Sequence, residues 1–216
     1  MTRTLPKGRG TDRKPGNRQP KTLFKIICEG KNTEPKYIAC FAKAHGNNLI
    51  DIETIGAAGV PLTIVRKSVQ AKKDLIKEAK KTGFERHIEV WAVFDVDEHP
   101  NLPQAINMAN GNKIYVAQSN PCIEIWPLLH LEFQRAPIHR HALQKKLAQY
   151  MDSYKKNGSK IIDYNQIKNN YKEAKQRAEQ IMTEHKQVGD ELANPSTDIF
   201  KLLDGIIKHG KQKKTN

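Results

Sequence analysis

Four short apolar runs, each bounded by a polar turn and separated by stretches of helical spacing, limit what this chain can fold into. LFKIIC (23–28) reads as a short buried strand, and LIDIETIG (49–56) alternates apolar and polar residues before a turn at Gly56 and Gly59. EVWAVFD (89–95) is the most strand-like run, and KIYVAQS (113–119) is the fourth. Alternation, and short runs of β-branched and aromatic residues, mark strands. Between them, EPKYIACFAKAH (34–45) repeats Tyr37, Ile38, Phe41 and Ala42 at helical spacing, with Pro35 in the first turn, where a missing N–H costs nothing. Residues 61–82 set Leu62, Val65, Val69, Leu75, Ile76 and Ala79 against a lysine-rich face and stop at Gly83. Residues 103–110 form a third, shorter helical stretch. The order β-α-β-α-β-α-β implies right-handed crossovers and a mainly parallel sheet flanked by helices, an α/β fold.

Beyond Pro121 the pattern turns helical. In IEIWPLLHLEF, Pro127 is expected to break or kink the helix, with Trp126 in the core and His130 closing the end. Further helices are expected over 139–151, over 165–187 with a thin stripe at Ile167, Tyr171, Ala174, Ala178 and Ile181, and over 196–209, capped by Asn194 or Ser196. The expected organisation is a disordered basic arm over 1–21, an α/β core over 22–131, a helical part over 132–209 packed on that core, and a basic tail over 210–216.

The formal net charge is +14 over 216 residues, and it is concentrated. Residues 1–25 carry eight Lys/Arg against one acid, 66–81 seven against two, and 201–216 five against one. Such a surface points to a polyanionic partner, in a cytoplasmic protein usually nucleic acid, without choosing DNA or RNA. No apolar run approaches the ~18 residues of a membrane span, and no signal peptide is read. Cys28, Cys40 and Cys122 form no CxxC pair, which argues against a disulfide framework or a zinc site and for a reduced cytoplasmic setting.

Ligands of parallel α/β sheets bind at the carboxyl ends of the strands. There Glu29 ends the first strand, with Gly30 behind it as room for a backbone, phosphate or metal to approach. Asp95 and Asp97 end the third strand as a DxD pair; residues i and i+2 of an extended segment face one side, and two such carboxylates repel unless a cation lies between them. Oxygen donors of this kind suit Mg²⁺ or Mn²⁺. Glu124, read as one turn into an otherwise apolar helix, is costly unless paired or liganded, and is the fourth acid. Glu34 is either a helix-start acid beside a capping Thr33 or a contributor to the site. Candidate substrate contacts are Lys31 in the first loop, His99 after the DxD pair, Ser119 and Asn120 at the end of the fourth strand, and Ser196 at a helix N-terminus.

Strand-final CEG followed by DxD on a four-stranded α/β unit resembles the Toprim domain of topoisomerases, bacterial primases and a set of nucleases. More narrowly, IICEGKNTEPKYI, VFDVDEH, SNPCIEIWPLLH and NPST, in that order, resemble the RloB family, small Toprim-like proteins of prokaryotic defence and restriction loci. The resemblance implies that Glu29 is the acid/base or metal-ligand glutamate and that Asp95 and Asp97 are metal ligands. It implies a nuclease or defence effector, often encoded beside an ATPase. The chain's six tyrosines lie in no recognisable topoisomerase setting, and it lacks a primase's zinc-binding segment, so metal-assisted phosphodiester hydrolysis is the economical chemistry. A non-catalytic nucleic-acid-binding subunit of an ATPase complex is the alternative.

Overall fold

The computed structural model describes residues 22–46, 50–54, 60–83, 86–96, 101–155, 160–190 and 192–210. The expected arm over 1–21, Gly56, Gly59, Asp97, His99 and the tail past residue 210 lie outside the described residues.

Each expected strand forms: β1 (Leu23–Cys28), β2 (Ile50–Thr54), β3 (Ile88–Asp95) and β4 (Tyr115–Asn120). The helices between them are α1 (Thr33–His45), α2 (Pro61–Thr82) and α3 (Leu102–Gly111). Gly83 ends α2 at φ 66, the left-handed conformation that favours glycine after a helix. The sheet order is β2-β1-β3-β4-β5, parallel throughout except for the two-residue edge strand β5 (Ser196–Thr197), which runs antiparallel to β4. This is an α/β, mostly parallel sheet flanked by helices, consistent with the Toprim-like arrangement.

Alternation along the strands sorts side chains into two layers. Phe24, Ile26, Cys28, Trp91 and Val93 belong to one cluster; Ile27, Val90, Ala92 and Phe94 belong to the other, under Leu62, Ile64 and Val65 of α2 and Ala105 and Ala109 of α3. The first layer is closed by α1 and by the later helices α4 (Ile125–Leu131), α5 (Arg140–Tyr150), α8 (Tyr171–Gln187) and α9 (Ile199–Lys208). Short helices α6 (Asp152–Lys155) and α7 (Tyr164–Ile167) lie between α5 and α8.

Three expectations are corrected. Pro127 neither breaks nor kinks a helix, because α4 begins at Ile125 and its first turn needs no intrahelical N–H donor from Pro127. The long helix expected over 165–187 is α7, a 3-10 turn at Lys168–Asn170 and then α8; the break falls on Asn169-Asn170, residues of low helix propensity. Residues Ser196 and Thr197 are not a helix start: they pair with Asn120 and Ser119, and α9 begins at Ile199.

The connection from β1 leads to β2 on one side and that from β3 to β4 on the other. The crevice of such a sheet opens where these directions diverge, between the carboxyl ends of β1 and β3. Trp126 of α4, fully buried, donates its indole N–H to the Tyr37 hydroxyl of α1 at 2.7 Å. That contact locks the start of α4 beside the start of α1, over the same crevice, and burial of such a ring contributes ~2 kcal/mol or more.

Candidate active site at the carboxyl edge of the sheet

Glu29 follows β1 directly. Its N–H donates to the Val93 carbonyl at 3.0 Å, and its Oε2 accepts the Asp95 N–H at 3.1 Å, so the carboxylate spans the two strand ends. Asp95 is the last residue of β3, in the row of Trp91 and Val93, and is 8% exposed. Its Oδ1 accepts the Ile123 N–H at 2.9 Å and its Oδ2 pairs with Arg140 Nη2 at 3.0 Å. Glu124 does not lie one turn inside a helix but immediately before α4, 3% exposed; its Oε1 accepts from the Tyr154 hydroxyl, with Gln144 Nε2 at 3.5 Å.

Glu34 belongs to the same crevice. It is 5% exposed, and its carboxylate folds back onto Gly30. A Cβ on Gly30 would fall on the Glu34 carboxylate, so the glycine makes room for this side chain rather than for the approach to Glu29 expected from the sequence. Thr33 is not a cap either: it is the first helical residue, and its hydroxyl donates to the Lys160 carbonyl at 3.2 Å.

Electrostatics tie the four acids together. Burial pushes the Asp95 carboxyl well above the usual carboxylate range; Glu34, Glu124 and Glu29 push it further, and Arg140 opposes them. Glu34 is raised by burial and then by Glu124 and Glu29, against the backbone N–H bonds that lower it. The nearby thiols and phenol feel the same field. Burial and Glu34 raise Cys28; burial, Glu124 and Asp95 raise Cys122; burial and Glu124 raise Tyr154. Like charges this close favour a proton or a cation among them.

An all-oxygen donor set is in kind what a hard divalent cation such as Mg²⁺ or Mn²⁺ takes. In arrangement, no group of three or more His, Cys, Asp or Glu among the described residues is placed to hold a metal ion. Asp97, the expected partner of Asp95, lies outside the described residues, as does His99.

The other candidates are placed as follows. Lys31 is exposed in the loop after β1. Ser119 is the register partner of Asp95 and shares a 2.7 Å hydroxyl contact with Thr197. Asn120 Nδ2 donates to the Leu192 carbonyl at 2.7 Å. Ser196, instead of starting a helix, is buried in β5 opposite Asn120, its Oγ lacking a hydrogen-bond partner among the described residues. Ser119 and Asn120 therefore tie the β4 end to its surroundings. Arg140, Gln144 and Tyr154 were not singled out in the sequence: they come from α5 and α6, with no local pattern to mark them, and Arg140 reaches Asp95 across 45 residues.

The family model of RloB-like proteins matches residues 24–206. No curated protein and no solved structure matches the chain.

Proposed function

The chain belongs to the RloB-like family, and from that premise we propose that it is a Mg²⁺- or Mn²⁺-dependent phosphodiesterase of the Toprim type, a nuclease acting in prokaryotic defence or restriction. The observation that carries this reading is the crowding of Glu29, Glu34, Asp95 and Glu124 at the crevice between β1 and β3, with the Arg140 guanidinium beside Asp95. Four acids at one buried place are an unfavourable arrangement for folding alone. Glu29 and Asp95, with Asp97, would hold the cation. When bound, such a cation neutralises the scissile phosphate and makes bound water a better nucleophile at neutral pH. Glu34, whose raised pKa keeps a proton on its carboxyl to higher pH, is suited to deliver that proton to the leaving oxygen. The basic chain supplies attraction for a polyanion. The test is cleavage of DNA and RNA panels with Mg²⁺, with Mn²⁺ and with chelator. Metal-dependent cleavage that Asp95→Asn abolishes is expected; cleavage at the wild-type rate in that variant overturns the reading.

A second reading draws on Arg140, whose ion pair engages Asp95 Oδ2. Here the chain is a nucleic-acid-binding subunit of an ATPase-containing complex, inactive by itself. Tight binding without cleavage on every substrate and metal, for wild type and Arg140→Ala alike, favours this reading.

A further inference from the structure

The two longest helices carry their charge differently. Helix α2 has seven Lys/Arg against two acids, whereas α8 has four against three. On α8 two of the four cations are matched, Arg177 with Glu173 and Lys175 with Asp204 and Glu179, and only Lys172 and Lys186 stand exposed at its two ends. On α2, Arg66, Lys73, Lys77, Lys80 and Lys81 are all exposed, and none has a carboxylate within ion-pair distance among the described residues. At 100° per residue their positions fall within about 100° of arc, a single outer row opposite the side that buries Ile64, Val65 and Ser68. Asp74 and Glu78 stand on one flank, with Asp74 accepting the Gln70 amide at 3.0 Å. On the inner flank, Lys72 is anchored to the Asn112 and Lys113 carbonyls at 3.0 and 2.6 Å, which brings Lys113 beside it and adds cationic surface at the turn after α3.

From Arg66 to Lys80 the row runs about 21 Å, with cations about 10, 6 and 4.5 Å apart along the axis. A compact anion fills one or two such positions; a sugar-phosphate backbone, charged every ~3.4 Å per strand along a duplex axis, fills all of them. A lipid surface would want large apolar side chains beside the cations, and the exposed stretch of α2 offers Ile76 alone. The Arg66 end follows β2 and so lies toward the sheet edge that holds the carboxylates. We propose that the outer row of α2 is the docking track for the backbone of a nucleic acid. The choice of polymer rests on the proposed nuclease reading, while the track itself does not require cleavage.

The test measures binding of fluorescein-labelled single-stranded RNA, single-stranded DNA and duplex DNA to the full chain, in EDTA, across a salt series. Lys73→Ala/Lys77→Ala is compared with Lys172→Ala/Lys186→Ala, which removes two exposed cations from α8. Circular dichroism confirms that both variants fold. The expected result is roughly tenfold weaker binding for the α2 pair, with the log K against log salt slope shallower by about 1.5, and little change for the α8 pair. Equal loss in both pairs would mean bulk charge and no track, and overturns the proposal. So does unchanged binding by the α2 pair, or an α2 effect seen only with phosphatidylserine vesicles. The same set separates the two readings: selective loss of binding by the α2 pair in EDTA supports the track even if no substrate is cleaved in Mg²⁺ or Mn²⁺, and cleavage without that selective loss overturns the track alone.

Discussion

Strand β3 carries one buried carboxylate at its second residue and another at its last, and its two ends solve the burial cost in opposite ways. At the start, Glu89 is 8% exposed and accepts the Trp91 indole N–H at 3.1 Å, with His87 Nδ1 at 3.8 Å and His209 Nε2 at 3.7 Å from its other oxygen. Thr22 Oγ1 lies 3.4 Å from one of these rings and 3.1 Å from the other. At the end, Asp95 has a backbone N–H and Arg140, but three further acids raise its carboxyl. A donor and two neighbouring imidazoles face one carboxylate, and the repulsion of three further acids surrounds the other. A buried acid met by donors is a structural device. One buried among other acids holds free energy that a proton, a cation or a bound group releases, which is why the proposed chemistry is placed at the Asp95 end.

The sharpest test of that contrast is Asp95→Asn against Glu89→Ala. Asp95→Asn should lower nucleic-acid cleavage by about 100-fold or more while shifting stability by no more than about 1 kcal/mol, because removing one charge relieves the others. Glu89→Ala leaves the Trp91 N–H buried without its acceptor and should cost about 2 kcal/mol in urea denaturation, with cleavage per folded molecule unchanged. If both variants lose stability alike and neither loses activity selectively, the two ends of β3 are equivalent and the comparison fails. Gly30→Ala comes next: its methyl would displace the Glu34 carboxylate, so about a tenfold loss of activity is expected, with a small change in unfolding midpoint. Wild-type activity in this variant would remove Glu34 from the site.

The smallest effect is on stability against pH. Asp95 and Glu34 have folded pKa values above their unfolded ones, so the folded state binds more protons once pH exceeds the ordinary carboxylate value of ~4. Stability from this edge is fully present below that value and is lost as pH rises through the folded pKa. Glu34→Gln should therefore flatten the decline of the melting temperature on the alkaline side; an unchanged slope would contradict it. His130 acts in the other direction. Burial under Trp126 holds its pKa down to about 4, so its contribution is lost as pH falls from about 6.5 toward 4.

Much of this architecture was readable along the chain because its signals are local. Period-two alternation and short β-branched runs placed β1, β3 and β4, and with them put Glu29 and Asp95 at strand ends. Where local signals misled, a longer-range partner won. Ser196 looked like a cap because serine before a helical pattern usually is one, yet two residues there complete the sheet against Asn120 and Ser119. Glu34 fitted a helix start equally well on local grounds; only the return of its carboxylate onto Gly30 sets it among the other acids.

By itself, the sequence determined the α/β layering, the carboxyl edge as the place where charge collects, and the uneven distribution of basic residues, since each follows from spacing within about 20 residues. The tertiary structure alone decided which acids meet and what faces them. Arg140 reaches Asp95 across 45 residues, and Tyr154 reaches Glu124 across 30. No periodicity encodes such contacts; they exist because α1, α4, α5 and α6 are packed into one apolar layer on the sheet, and packing sets which side chains are forced out of water together.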